Sequence, residues 1–175
     1  FGRSYGRYER GRIIKDGRDL VLPTTAAAIR AGIAYVTEDR KNLGLNLLDD
    51  IKRTIVGAAL ERISRWAVLD RGGEFTAAEG YRRSLRIKAP SVHEGVAHLS
   101  GGNQQKVVLG KWLFTGPDLL ILDEPTRGID VGAKFEIYGI IDQFAAAGKG
   151  VIVISSELPE LLGITDRIYT LCEGA

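Results

Sequence analysis

Leu119-Leu120-Ile121-Leu122-Asp123-Glu124-Pro125 is the stretch that decides the fold. Four apolar residues run without a polar break into two carboxylates and a proline. A run this short and this uniform reads as a strand buried on both faces of a parallel sheet. Ligands of such sheets bind outside the carboxyl ends of the strands, which is where the two acids fall. Successive strand residues face opposite sides, so Asp123 and Glu124 need not share a task. Asp123 suits a direct or water-mediated contact to Mg2+, and Glu124 suits the polarisation of an attacking water. Two solvated acids closing a strand would read the same way.

Downstream, 131–147 is expected to be a helix, with Ile137, Ile140, Ile141 and Phe144 on one stripe and Gly148 ending it. A second buried strand is expected over Val151 to Ile154, a short helix around Leu158 to Leu162, and a last strand over Ile168 to Leu171. This alternation implies a mostly parallel sheet with helices on its faces. Upstream, Leu99-Ser100-Gly101-Gly102-Asn103-Gln104-Gln105 opens another helix. Ser100 can cap it, and the two glycines leave backbone N–H groups bare at the positive end of the helix dipole, which suits an anion. An ordinary capped helix after a glycine turn fits the same residues.

Residues 12–22 read as a hairpin about Asp16-Gly17, a pair that tolerates the positive φ angles of a type I′ turn. Thr24 or Thr25 is expected to cap an Ala-rich helix stopped at Gly32, with a brief strand over Ile33 to Val36. From 37 to 98 the pattern becomes helical. Ile51, Ile55, Leu60 and Ile63 keep helical spacing, Asp70 to Gly73 reads as a turn, and a second helix is expected from Glu74 to Leu85. No strand is expected in this stretch.

Composition excludes several classes. The 175 residues are 45% hydrophobic and 26% charged, as in a globular domain of ordinary make-up. A formal net charge of +2 gives no electrostatic case for a nucleic-acid partner. The basic opening stretch (Arg3, Arg7, Arg10, Arg12, Lys15, Arg18) reads as a solvated face. Cys172 is the one cysteine, so no disulfide can form within the chain. No apolar run approaches the roughly 18 residues of a membrane span. Methionine is absent and the chain opens on Phe1, from which a piece of a longer protein is expected.

The Leu-Ser-Gly-Gly-Asn-Gln-Gln cluster starts twenty residues before the Leu-Leu-Ile-Leu-Asp-Glu-Pro-Thr strand, with Arg127-Gly128-Ile129-Asp130 after it. Together these resemble the ABC ATPase family, as its signature loop, Walker B strand and D-loop. The finer likeness is to ATPases of bacterial monosaccharide (ribose/galactose/xylose-type) importers. It rests on Tyr35-Val36-Thr37-Glu38-Asp39-Arg40-Lys41, Asn103 to Lys106, Glu124 to Lys134 and Ile154 to Glu160.

That resemblance implies an α/β, P-loop NTPase-like fold with a mostly parallel sheet and a helical subdomain. Its parts are 1–38, a helical insertion at 39–98, and 99–175 with the motifs; the P-loop portion is expected upstream of Phe1. No Gly-x-x-x-x-Gly-Lys-Ser/Thr occurs, and Gly6 to Ile13 matches only its glycine spacing. The family pairs two such domains head to tail around ATP and Mg2+. By resemblance, Ser100, Gly101, Gly102, Asn103 and Gln104 contact the nucleotide held by the partner domain. Asp123 and Glu38 are the metal-side residues, Glu124 and Ser156 the catalytic ones, and Asp130 crosses the seam. Glu38 stands where the family has glutamine, and Ser156 where it has the switch histidine, so hydrolysis at this domain's own site is placed in doubt.

The implied partners are a second nucleotide-binding domain, transmembrane permease subunits and, indirectly, a periplasmic sugar-binding protein, with no nucleic acid. The implied location is peripheral, on the cytoplasmic face of the inner membrane. The rival to an ATPase that drives sugar import is an inert interaction module that sandwiches nucleotide without a P-loop of its own. A soluble ABC ATPase of DNA repair or translation would carry a coiled-coil insertion or a basic patch, and neither is present. With sheet edges left bare, the chain alone is expected to be poorly soluble.

Overall fold

The computed structural model describes residues 11–66 and 68–172. Arg3, Arg7 and Arg10 of the basic stretch, and most of the Gly6 to Ile13 segment, lie outside the described residues. Strands β1 (Ile13–Lys15) and β2 (Arg18–Leu20) pair antiparallel about Asp16 and Gly17, both at positive φ as the type I′ turn requires. Helix α1 (Thr25–Arg30) starts at Thr24, whose hydroxyl accepts from the Ala27 N–H at 3.1 Å. Strand β3 (Ile33–Val36) follows, then a single π-helical turn, Arg40–Gly44.

The stretch that reads as helical in sequence is more broken than expected. Helix α2 (Ile51–Val56), capped by Asp50, ends at Gly57, and Leu60–Ile63 is a separate 3-10 turn. Two short strands that the sequence reading excluded, β4 (Ser64–Arg65) and β5 (Val68–Leu69), pair antiparallel across Trp66, itself at φ +53. Two residues are too few to display a period of two, so nothing in the sequence announces them. Helix α3 (Arg71–Ser84) begins three residues earlier than expected. Asp70 accepts from the N–H groups of Gly72 and Gly73, both at 3.0 Å, so the supposed turn is an N-cap and a first helical turn.

Helix α4 (Gly101–Phe114) leads into strand β6 (Leu119–Asp123), then helix α5 (Val131–Ala146), strand β7 (Gly150–Ile154) and helix α6 (Leu158–Ile164). The three longer strands form one parallel sheet in the order β3-β6-β7. Register puts Ala34, Leu120 and Val151 in one row and Val36, Leu122 and Val153 in the next. These rows belong to a core shared with Val107 and Val108 of α4 and with Ile137, Ile140 and Ile141 of α5. The opposite face carries the row Tyr35, Ile121 and Ile152.

The expectation of strands buried on both faces is therefore corrected. Leu120 and Leu122 are fully buried, but Ile152 and Ile154, on the opposite face of the sheet, are about half exposed. Ile168 to Leu171 is not a strand either. Tyr169 and Leu171 stand in solvent, and the segment pairs with no strand among the described residues.

The most deeply buried charged side chain among the described residues belongs to α4. Lys106 of α4 is 1% exposed, with Nζ 2.5 Å from Glu136 of α5 and 2.8 Å from the Arg86 carbonyl beyond α3. It ties α4 to α5 and to the segment that follows α3. Glu136 is about one-third exposed, so the partners are unequal. Removing Glu136 strands a buried ammonium, whereas removing Lys106 leaves a carboxylate that water can reach. Glu136→Ala is therefore expected to cost about 3 kcal/mol in urea unfolding and Lys106→Met about 1 kcal/mol. Equal losses would contradict the asymmetry.

Candidate functional site

The carboxyl end of β6 carries the acids. Asp123 is the last strand residue, on the face of Tyr35 and Ile121. Its Oδ2 accepts from the Tyr35 hydroxyl at 2.6 Å. Burial and this bond to a carboxylate push the Tyr35 phenol up to about 12. Glu124 has left the strand and sits at φ +46, a left-handed conformation that costs a non-glycine residue about 1 kcal/mol or more. The turn is held at both ends: the Glu124 N–H donates to the Ile154 carbonyl at 2.8 Å, and Glu124 Oε1 accepts from the Ser156 N–H at 2.8 Å. Glu124 and Ser156 thus meet, through the backbone of Ser156.

Glu38, two residues beyond the end of β3, is at the same end of the sheet but is held by another partner. Its carboxylate is ion-paired with Arg127, and the Arg127 carbonyl accepts from Arg40 Nη1 at 3.1 Å. Among the described residues no three His, Cys, Asp or Glu side chains converge as a metal cage. Mg2+ does not need one, since it keeps several waters and takes one or two carboxylates plus phosphate oxygens. Asp123 fits that requirement, with one oxygen anchored by Tyr35 and the other outside that bond. Glu38 would first have to leave Arg127.

The start of α4 forms the second cluster. Ser100 occupies the N-cap, but its hydroxyl makes no capping bond. Its Oγ instead accepts from Asn103 Nδ2 at 2.9 Å, while Asn103 Oδ1 accepts from the Lys88 N–H at 2.9 Å. The backbone donor fixes which way the amide faces, so the Ser100 proton is free to point outward. Asn103 and Gln104 are buried, and Gln104 Nε2 donates to the Val96 carbonyl at 3.1 Å. Both turn inward, and Ser100 is left exposed. Asp130 caps α5, accepting from the Ala133 N–H at 2.9 Å. Ser100, Gly102, Asn103, Lys106, Asp130 and Glu136 line a hollow of about 170 Å³ between the starts of α4 and α5.

The glycines have a packing reason as well as an electrostatic one. A Cβ on Gly102 would lie 2.5 Å from the Ala133 Cβ, and one on Gly101 would lie 2.8 Å from Arg40 Nη2. The first neighbour is fixed to a helix backbone, and the second is the tip of a flexible side chain. Tyr35 and Arg40 enter the sequence reading only within the stretch that carries the family likeness, with no role assigned, and the turning role of Asn103 is not visible there. A strand tyrosine one register step from an acid carries no motif.

Two outcomes follow from this geometry. Gly102→Ala is expected to destabilise the chain by about 1–3 kcal/mol with no nucleotide present, and Gly101→Ala by less than about 1 kcal/mol. Chemical denaturation compares them, and equal effects would remove the close approach of α5 as the cause. Tyr35 binds its proton more tightly in the folded chain than the ordinary value of 10. Its contribution is thus fully present below pH 10 and is lost as pH rises towards 12. Tyr35→Phe should flatten that alkaline loss of stability, read as melting temperature against pH.

Comparison with known proteins accords with this arrangement. The family model described as ABC transporter matches residues 4–127, more than half of the chain. The chain is 57% identical over 99% of its length to the L-arabinose transport ATP-binding protein AraG of Geobacillus stearothermophilus, covering 34% of that protein. It is 49% identical, with the same coverage of both chains, to the xylose import ATP-binding protein XylG of Geobacillus kaustophilus (strain HTA426). It spans about a third of the length of these curated relatives. Among solved structures, a nucleotide-free ATP-binding cassette from an ABC transporter superposes with a TM-score of 0.73 at 18% identity, over 90% of this chain and 64% of that one. The fold is that of an ATP-binding cassette, and the chain belongs to the ABC transporter family.

Proposed function

We propose that the chain is part of the ATP-binding subunit of a sugar importer and lends its signature loop to an ATP site completed by a second cassette. The observation that carries this is the Ser100 hydroxyl, exposed, excused from capping, and oriented by Asn103 beside two bare glycines. A phosphate oxygen arriving there meets a hydroxyl donor and free N–H groups at a helix start. The near full-length likeness to sugar-import ATP-binding proteins supports the choice of cargo class.

In this reading Glu124 orients a water against the γ-phosphate of the domain's own nucleotide, and Asp123 holds Mg2+ from the same strand end. The metal, when bound, neutralises charge on the phosphates. The bond from the Ser156 N–H keeps Glu124 turned towards that place. Asp130 fixes the start of α5 and lies at the seam between cassettes. Residues 39–98 act as the helical insertion that receives a permease, 1–38 precede it, and 99–175 carry the motifs. No helix among the described residues is long and apolar enough to cross a membrane. The subunit docks on the cytoplasmic face of the inner membrane through its permease, and a periplasmic sugar-binding protein acts on the far side.

A non-hydrolysing nucleotide sandwich is favoured by one observation: the 175 residues hold no Gly-x-x-x-x-Gly-Lys-Ser/Thr to cradle phosphates. The two readings share the sandwich and differ in hydrolysis. ATP and Mg2+ with the chain alone are expected to leave its melting temperature unchanged, since a saturated site would stabilise it by about 2.7 kcal/mol at a hundredfold excess over Kd. Adding an intact cassette with a P-loop should produce an ATP-dependent complex in sedimentation, weakened at least about tenfold by Ser100→Ala. A saturable melting shift without that cassette, indifferent to Ser100→Ala, would overturn the shared-site reading.

A further inference from the structure

The loops that follow β6 and β7 are joined by one buried carboxylate. Glu160 of α6 is 6% exposed. Its Oε1 accepts from the Thr126 hydroxyl at 2.7 Å and its Oε2 from the Ser155 hydroxyl at 2.5 Å. Thr126 lies two residues beyond Glu124 and is itself 1% exposed. Ser155 immediately precedes Ser156, whose N–H holds Glu124 Oε1.

We propose that Glu160 is a positioning residue for Glu124, fixing both loops so that the Ser156 N–H meets the Glu124 carboxylate. This rests on the reading of Glu124 as the carboxylate that orients water. A hydroxyl has one proton to give, and both protons are committed to Glu160. With its proton so directed, Ser155 Oγ offers its lone pair to the Glu157 N–H, 3.0 Å away. The 155–157 backbone is thereby pinned on both sides of the Ser156 N–H. Glu124 is pinned in turn: Thr126 anchors the chain beyond it, and its own N–H is bonded to the Ile154 carbonyl. A residue held at positive φ keeps that conformation only while its surroundings over-determine it, and Glu160 supplies two of the constraints.

The groups around Glu160 fit a structural anion. Lys134 of α5 lies within electrostatic reach but gives its direct bonds to Glu157, at 2.7 and 2.8 Å. The Tyr138 hydroxyl faces Thr126 and Glu160 and is held above its ordinary value, first by burial and then by the Glu160 charge. The carboxylate is thus satisfied by hydroxyls, which are directional, rather than by a cation that could slide. Glutamine in its place keeps the volume but presents an N–H2 to one of two hydroxyls already pointing inward. The hydroxyl facing that N–H2 must turn its proton away and accept instead, so one of the two charge-assisted bonds to Glu160 is lost.

The test compares Glu160→Gln, Ser155→Ala and Glu124→Gln. Hydrogen exchange of the Ser156 and Glu157 amides is read by mass spectrometry at micromolar concentration, with the Leu120 and Leu122 amides as an internal check on folding. Hydrolysis is measured in a complete cassette bearing this sequence. Glu160→Gln is expected to speed exchange at Ser156 and Glu157 at least about tenfold with the β6 amides unchanged, and to lower kcat about tenfold at constant KM. Ser155→Ala should reproduce both effects by cutting one arm while keeping the buried acid. Unchanged Ser156 exchange in both variants, or faster exchange with unaltered kcat, overturns the proposal while Glu124→Gln still abolishes hydrolysis. Full hydrolysis by Glu124→Gln would instead overturn the reading of Glu124, and the positioning role with it.

Discussion

Parallel pairing of β6 with β3 on one side and β7 on the other is the constraint from which the rest follows. It is the strand with two neighbours, and its register places Leu120 and Leu122 in the core while sending Asp123 to the opposite face. The pairing also sets the ends of the loops. With Asp123 opposite Ile154, the chain leaving β6 and the chain leaving β7 depart side by side, so Glu124 can bond Ile154 and Ser156 across the gap. A one-residue slip would exchange the two faces, burying Asp123 and exposing the leucines. The acids are thus placed by the hydrophobic pattern of the strand that precedes them.

What the sequence made legible follows the same logic. Period and chemistry agreed at β6, at α5 with its stripe of Ile137, Ile140 and Ile141, and at the Asp16-Gly17 hairpin, and each is found where the pattern put it. Family and fold class were readable from the order and spacing of three motifs. The misses have physical causes. Asp70-Arg71-Gly72-Gly73 carries turn residues, yet the Asp70 carboxylate gathers two N–H groups and starts a helix in spite of its glycines. Ile152 and Ile154 read as buried because composition does not reveal whether a second face is covered. Ile168 to Leu171 has strand composition yet pairs with neither open edge of the sheet, and strand pairing is settled by partners rather than propensity. Within the site, the bonds of Tyr35 to Asp123, Arg40 to Arg127 and Thr126 to Glu160 join residues between 34 and 88 positions apart, which no local spacing encodes.

The Ser-Gly-Gly sequence answers two demands at once. Anion-binding logic asks for bare N–H groups at a helix start, and that alone would tolerate several small residues. Packing is stricter: the start of α5 lies so near that Gly102 has no room for a Cβ against Ala133. The same contact places Asp130 beside Ser100 in one hollow and brings the segment before α5 against the start of α4 in the same chain. A change at one loop is felt at the other through rigid contact, with no flexible linker between them.

Ser156 shows how a substitution that looks disabling can leave geometry intact. A histidine at that position would offer an imidazole, and a serine hydroxyl cannot carry its charge. In this chain, however, the group that meets Glu124 is the Ser156 backbone N–H, which every residue but proline possesses. The side chain at 156 is therefore released from holding Glu124, and the demand passes to whatever fixes the backbone. Hydroxyls at Ser155 and Thr126, both turned onto one buried acid, meet that demand. Control of Glu124 thus rests on groups that keep the turned carboxylate in place whatever side chain stands at 156.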